Sequence, residues 1–437
     1  MKFISTRGNS FYSLDETLLQ GIAEDGGLFV PDRLPKFLTD DYKTADTINQ
    51  IAKIFLEPFF KNSILYQTVD QIIEETFSFP IQITELSKSN KDDEFLELYH
   101  GPTAAFKDFG ARFLAACLSK IKDEAVKPLT ILVATSGDTG GAVASAFHEK
   151  LGIRVVVLYP NGRVSERQVK QLTCWGSNVL SLAVDGSFDD CQSIVKTAFT
   201  DKVLSKKYNF TSANSINIGR LIPQCIYYAY SSLIHYRKTQ RKLSFIIPTG
   251  NLGNGLACVM TKDMGLPIDQ IILSVNENRL IPDYLDGHKW EPRSSLATLA
   301  SAMDVGNPSN MERLINMHGD NDKLSSVISS FSVSDREIRR QIKDNFNEYG
   351  FATCPHTATA TFVYKNLPES IYNNNDWAIV ATAHPAKFEN IIEPIIGEKI
   401  PIPPALEEIL SKPSKYKTIK PDINDCINAI DNHWSKS

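Results

Sequence analysis

The spacing of apolar positions changes near residue 90. Before it, "TADTINQIAKIFLEPFF" and "TVDQIIEETFSFP" carry apolar residues every three or four positions, the period of a helix buried on one face. Each begins near a Thr or Asp able to cap it. "SLDETLLQGIAEDGGLFVP" predicts another helix, a turn at Gly26-Gly27 and a strand ending at Pro31. From about residue 90 the pattern becomes short β-branched runs alternating with amphipathic stretches. The runs are "FLELYH", "LTILVAT", "RVVVLYP", "VLSLAV", "LSFIIPTG", "QIILSVN" and "WAIVATAH". Buried runs of this length separated by helices predict parallel strands with crossover connections. The expected fold class is therefore α/β, doubly wound, with two sheets. Functional loops are expected at the carboxyl ends of the strands. The polar runs "SKSNKDDE" (87–94) and "YNNNDW" (372–377) predict surface loops.

Composition narrows the function classes. A chain of 437 residues is expected to form two or three domains. Its 42% hydrophobic and 22% charged residues are those of an ordinary globular protein. The net charge is −5 with both signs scattered, so no basic stripe points to nucleic acid. The seven cysteines show no CxxC spacing, which argues for reduced, mostly buried thiols and against a disulfide framework or a zinc site. "MKFISTRGNSFYSL" lacks the apolar run of a secretory signal, and runs such as "IRVVVLY" are too short to span a bilayer. The expected compartment is the cytosol, with no membrane partner.

Four stretches, each after an expected strand, carry candidate chemistry. In "HGPTAAFKDFGARF" (100–113), Gly101 and Lys107 have the spacing of a P-loop, but Phe106 replaces its second glycine and Asp108 its hydroxyl residue. A bulky ring and a carboxylate there exclude phosphate. Either Lys107 is a surface charge at a helix start, or its small and apolar neighbours desolvate it and free its amine for a Schiff base. In "ATSGDTGGAVASAF" (134–147), Thr135, Ser136 and Thr139 with the amides of Gly137 and Gly140 form either a capped turn or an anion nest. Asp138 is out of place in a pure phosphate nest and suits a cationic amine or a ring hydroxyl. In "FIIPTGNLGNGLACVM" (245–260), the order GxxGxG is not the dinucleotide pattern. Gly250, Gly253 and Gly255 with donors from Asn251 and Asn254 still suit a phosphate monoester at a helix start. "WAIVATAHPAKFEN" (377–390) delivers Thr382 and His384 to a strand end, where the Thr382 hydroxyl can meet a ring nitrogen. A lysine amine, a phosphate cup and a neutral partner for a ring nitrogen are together what pyridoxal 5'-phosphate requires.

The chain also resembles the threonine synthase family, among the fold type II, tryptophan-synthase-β-like pyridoxal-phosphate enzymes. The resemblance is carried, in order, by "DGGLFVP" (25–31), the Lys107 and Asp138 stretches above, "PTGNLGNG" (248–255), "AMDVGNPSNMERL" (302–314), "PHTA" (355–358) and "ATAHPAKF" (381–388). It departs at "ATC" before "PHTA", where the family pattern has an aspartate, and at Leu252, where the pattern has an aromatic. The resemblance implies a cytoplasmic lyase that converts O-phospho-L-homoserine and water to L-threonine and phosphate. It implies Lys107 as the catalytic, Schiff-base lysine. Gly250, Asn251, Leu252, Gly253 and Asn254 would hold the cofactor phosphate, and Thr382 the ring nitrogen. Thr135, Ser136, Gly137, Asp138 and Thr139 would grip the substrate carboxylate. In "SANSINIGR" (212–220), Asn214, Ser215 and Arg220 would hold the substrate phosphate. The expected division is an N-terminal extension over 1–90, a small α/β domain over 91–220 and a large cofactor-binding α/β domain over 221–437, in a monomer or homodimer. A serine or threonine dehydratase of the same fold type, or an inactive relative that only binds a ligand, are the alternatives.

Overall fold

All seven of those apolar runs form strands, arranged in two parallel sheets. The computed structural model describes residues 1–86, 91–121 and 127–434. A six-stranded sheet runs in the order 329–332, 268–275, 243–248, 376–381, 94–97, 82–85. Every neighbouring pair in it is parallel except the edge strand 82–85, which is antiparallel to 94–97. A five-stranded, wholly parallel sheet runs 417–419, 179–184, 153–160, 129–134, 210–211. The strands 129–134, 179–184, 243–248 and 376–381 are buried at every residue, because helices cover both faces of each sheet. That is why they read as continuous apolar runs.

The N-terminal helices form where expected. Leu14–Gln20 starts at a capping box of Ser13 and Glu16, and Ile48–Phe60 at one of Thr47 and Gln50. Val69–Thr76 begins without a side-chain cap. The expected strand at "GLFVP" pairs antiparallel with residues 3–5.

Two expectations are corrected. "YNNNDW" is not a surface loop: helix Glu369–Asn374 ends in it, and Asp376 and Trp377 open a central strand, fully buried. Asp376 tolerates burial because His235 (3.2 Å) and Arg241 (3.0 Å) meet its carboxylate. Residues 87–90 of "SKSNKDDE" lie outside the described residues, but Asp93 and Glu94 are buried, and Glu94 starts a strand. Sheet membership also departs from the divisions at 90 and 220. Strand 94–97 belongs with the later strands of the six-stranded sheet, and 417–419 returns to extend the five-stranded one. Parallel pairing lets distant segments share a sheet, so strand order in space departs from strand order in sequence.

The two long helices that reach the cleft touch at a glycine. Gly110, in helix Lys107–Ile121, lies against Arg220 of helix Ile218–Thr239, and a Cβ there would sit 2.8 Å from the Arg220 carbonyl oxygen and 2.8 Å from its Nε. A backbone atom cannot yield as a side-chain tip can. Gly110→Ala should therefore lower stability by about 1–3 kcal/mol through overpacking. The check is a lowered thermal midpoint with unchanged far-ultraviolet circular dichroism.

Candidate active site

Lys107 is placed by a loop stitched to the end of another strand. The chain leaves strand 94–97 and runs beside residues 381–384. Phe106 N donates to Thr382 O (2.9 Å), His384 N to Ala104 O (3.0 Å) and Leu98 N to Ala381 O (2.9 Å). This lacing brings the Lys107 stretch and the Thr382 stretch together, as a shared site requires. Ala104 takes a left-handed φ of 53°, an uncommon conformation for a residue with a side chain, and it is fully buried. Asp108 faces back into this loop, accepting from Thr103 N (2.9 Å) and Thr103 Oγ1 (2.6 Å). It braces the loop rather than meeting a ligand.

Lys107 is not surface decoration. It is half-buried at the start of helix Lys107–Ile121, with protein atoms densely packed around it. Burial pushes its amine down to about 8; Asp138 opposes the shift, and Lys387 and Arg220 add to it. A substantial neutral fraction near neutral pH suits an amine that must act as nucleophile or base.

Of the two forms left open for the 135–140 loop, the Thr135 hydroxyl makes the capped turn. The amides of Gly137 (3.0 Å) and Gly140 (2.9 Å) donate to the Thr135 hydroxyl, which donates on to Gly137 O (3.1 Å). Thr135 and these two amides are consumed in shaping the turn. What remains for a ligand are the Ser136 and Thr139 hydroxyls and the first amides of helix Asp138–Phe147, which lack intrahelical acceptors. Asp138 meets the cationic amine its position suggested. Lys387 Nζ lies 2.8 Å from its Oδ1, and Gln168 Nε2 donates to it at 3.0 Å. Burial alone would raise the Asp138 carboxyl, but Lys387 and Lys107 outweigh it and hold the group well below the usual carboxylate range.

Lys387 was missed in the sequence reading. It lies inside "ATAHPAKF", is wholly buried, and also donates to Thr103 O (2.6 Å). A lysine flanked by Pro385, Ala386 and Phe388 was the available signal. His384, by contrast, caps the next turn by accepting from Ala386 N (3.1 Å) at Nδ1. His356 was missed too. Its Nε2 accepts from Ala302 N (3.1 Å), which places the proton on Nδ1, and buried Nδ1 has no protein partner. Burial pushes its imidazole down to about 4; Asp138 opposes this, while Lys107 and Lys387 add to it. It is a neutral donor facing the same charges as Lys107.

The glycine loop starts helix Gly253–Asp263. Leu252 holds a left-handed φ of 63° with its side chain buried, which agrees with a packing role there. No side chain caps this helix start, and a Cβ at Gly253 would lie in ordinary contact with Asn310 Nδ2 (3.6 Å) and Ser215 Cβ (3.7 Å), so those two segments pack directly over it. Asn254 Oδ1 accepts from the buried hydroxyls of Tyr227 (2.5 Å) and Tyr228 (2.8 Å), which leaves its Nδ2 with no protein partner. Asn251 is corrected from free donor to brace. Its Nδ2 donates to Ser215 Oγ (2.6 Å), and its Oδ1 accepts from Ser309 N (2.6 Å).

The 212–220 segment adds a buried cation without an anion. Arg220 donates to Ala213 O, its Nε has no partner, and no carboxylate lies within ion-pair distance of it among the described residues. Burial pushes it down to about 10, opposed by Asp108. The buried Asn214 Oδ1 is likewise unpartnered. Buried polar groups are normally satisfied, so unmet groups on Asn214, Arg220, Asn254 and His356 mark places where a ligand completes the network. A partly desolvated amine, uncapped helix-start amides beside the unpartnered Asn254 Nδ2, and Thr382 at the strand end fit pyridoxal phosphate.

Comparison with known proteins agrees with this chemistry. Residues 80–383 match the family described as pyridoxal-phosphate dependent enzyme, residues 2–77 match the threonine synthase N terminus, and residues 357–430 match the threonine synthase C-terminal family. Threonine synthase from Escherichia coli strain K12 is 36% identical over 97% of this chain and 98% of that protein. The crystal structure of threonine synthase from Escherichia coli superimposes with a TM-score of 0.90 at 34% identity, covering 99% of this chain and 100% of the other. That of pyridoxal-phosphate-bound threonine synthase from Brucella melitensis gives 0.91 at 29% identity, covering 99% of both chains.

The charge cluster makes a signed prediction. In the cofactor-free chain, labelling of Lys107 by an amine reagent, read by mass spectrometry across pH, should show a midpoint near 8. Asp138→Asn removes the anion that favours the ammonium form and should lower this midpoint. Lys387→Met removes a repelling cation and should raise it. Shifts of the opposite sign would refute the electrostatic account.

Proposed function

The chain belongs to the threonine synthase family of pyridoxal-phosphate-dependent enzymes, and from that premise we propose that it converts O-phospho-L-homoserine and water to L-threonine and phosphate. The observation that carries the substrate assignment is Arg220, buried, lacking a carboxylate and with its Nε donor unpartnered. A substrate phosphate supplies the missing anion.

We assign the site as follows. Lys107 holds the cofactor covalently and releases it to the substrate amine. The Asn254 amide and the amides at the start of helix Gly253–Asp263 hold the cofactor phosphate, with Gly250, Asn251 and Leu252 shaping the turn. The Thr382 hydroxyl meets the ring nitrogen. Ser136 and Thr139 take the substrate carboxylate on a turn built by Thr135 and Gly137. Asn214 and Arg220, braced at Ser215, take the substrate phosphate. When bound, the cofactor supplies an electron sink that acidifies the Cα proton. The Lys107 amine, once freed, is the base that takes that proton. Loss of a second proton, from Cβ, lets phosphate leave Cγ, where Arg220 and Asn214 hold it; a proton returns to Cγ, and water then adds its hydroxyl to Cβ while a proton returns to Cα. Asp138, kept ionised by Lys387, keeps a negative charge beside Lys107 throughout.

A dehydratase acting on threonine needs no site for a substrate phosphate, so Arg220 and Asn214 favour the first reading. No helix among the described residues is long and apolar enough to cross a membrane. A cytosolic location, a monomeric or homodimeric state and the three-part division of the chain, with strands 94–97 and 417–419 each crossing to the other sheet, accompany the proposal.

Phosphate release from O-phospho-L-homoserine should greatly exceed ammonia release from threonine; the reverse would make this a dehydratase. Lys107→Ala should abolish both turnover and the cofactor that stays attached after borohydride reduction and dialysis. Arg220→Ala should cost on the order of 100-fold in kcat/KM for O-phospho-L-homoserine, the scale of a lost charge-assisted contact.

A further inference from the structure

A second buried guanidinium lies behind the two phosphate segments. Arg313, in helix Met311–His318, is wholly buried and, like Arg220, has no carboxylate at ion-pair distance among the described residues. Burial pushes it down to about 9, with Glu312 opposing. Its three bonds reach three separate parts of the chain. Nε donates to Phe29 O (2.9 Å) on the N-terminal strand, one terminal nitrogen to Ile216 O (2.6 Å), and the other to Asn310 Oδ1 (2.6 Å).

The bond to Asn310 settles the orientation of a buried amide. A guanidinium only donates, so Asn310 Oδ1 must face Arg313. Its Nδ2 must then face the other way, where it donates to Asn251 O (3.0 Å) and Ser215 O (3.3 Å). Asn251 belongs to the cofactor-phosphate loop and Ser215 to the substrate-phosphate segment. The two are also joined directly by Asn251 Nδ2 to Ser215 Oγ (2.6 Å). The N-terminal region grips the same helix from outside, since Arg7 forms a two-pronged ion pair with Glu312 (2.9 and 2.7 Å).

We propose that Arg313 and Asn310 form a positioning pair that clamps the substrate-phosphate segment onto the cofactor-phosphate loop and ties both to the N-terminal strand Phe29–Pro31. This rests on the reading of residues 250–254 as the cofactor-phosphate loop. Neither residue touches a reacting atom. Arg313 sets the Asn310 amide, Asn310 sets the main chain at Asn251 and Ser215, and those two segments present the donors. The N-terminal extension thereby becomes part of the active-site scaffold. A Met in place of Arg313 fills most of the space but holds none of the three oxygens. An Asp in place of Asn310 keeps the contact with Arg313 and loses both donations to the loop segments.

The test uses the full-length enzyme loaded with either pyridoxal phosphate or pyridoxal, which lacks the phosphate. Loss of each ligand into a trapping reagent is followed by absorbance for the parent, Arg313→Met, Asn310→Asp and Asn254→Ala. Arg313→Met and Asn310→Asp should speed loss of pyridoxal phosphate about tenfold, the scale of one hydrogen bond to a charged group, and leave loss of pyridoxal unchanged. Asn310→Asp, which keeps a partner for Arg313, guards against the case in which Arg313→Met fails to fold. Equal acceleration for both ligands would reduce the pair to general structural support and overturn the proposal. So would unchanged retention of pyridoxal phosphate in the folded variants while Asn254→Ala loses it faster. Unchanged retention in Asn254→Ala would instead overturn the assignment of the loop on which the proposal rests.

Discussion

The ion pair between Asp138 and Lys387 is the constraint on which the site depends. Asp138 follows strand 129–134 of the five-stranded sheet, and Lys387 follows strand 376–381 of the six-stranded one, so the 2.8 Å contact spans the cleft between them. Both groups are buried. Such a pair contributes little net stability, because desolvation offsets most of the attraction. Its value is positional. Separating the two would leave an uncompensated charge on each side, so the sheets are held in the arrangement that puts Asp138 beside Lys107. Burial, with two cations and one anion around Lys107, pushes its amine down to about 8.

The rest of the cleft is built by using up hydrogen bonds selectively. Thr135 consumes two glycine amides, Tyr227 and Tyr228 consume the Asn254 oxygen, and the Ala302 amide consumes one nitrogen of His356. What is left over, the Asn254 amide nitrogen and His356 Nδ1, is thereby fixed in direction. Donors fixed before a ligand arrives need no reorganisation when it binds. Backbone strain accompanies this arrangement: Ala104 and Leu252, both non-glycine residues with positive φ, sit in the loop before Lys107 and in the glycine turn before helix Gly253–Asp263. Each left-handed residue costs on the order of 1 kcal/mol and persists only where its surroundings over-determine it.

The sequence was informative where chemistry is local and less so where it is shared. Lys107 could be taken as an activated amine because its own neighbours desolvate it. The parallel strands were legible because burial on both faces leaves a continuous apolar run. "YNNNDW" was misread because Asp376 is neutralised by His235 and Arg241, neither of which is near it in the chain. The capped turn at Gly137 and Gly140 was one of two local readings of the Thr135 loop, whereas Asn251 was read as a free donor because nothing local shows that Ser215 already occupies it. Lys387 carried a weak signal in its apolar neighbours, whereas a single histidine such as His356 among small residues has no local signature.

The sequence by itself determined the fold class, the family and the cofactor. Strand runs, glycine turns and ordered motifs are properties of short stretches, and they survive any uncertainty about how the stretches meet. Only the tertiary structure decided which donors remain free, which charges face Lys107 and how the N-terminal strand reaches the phosphate segments. Those depend on pairs such as Asp138 with Lys387 and Phe29 with Arg313, hundreds of residues apart in the chain. Whether a polar group is spent or available is settled by its partner, and the partner is chosen by packing.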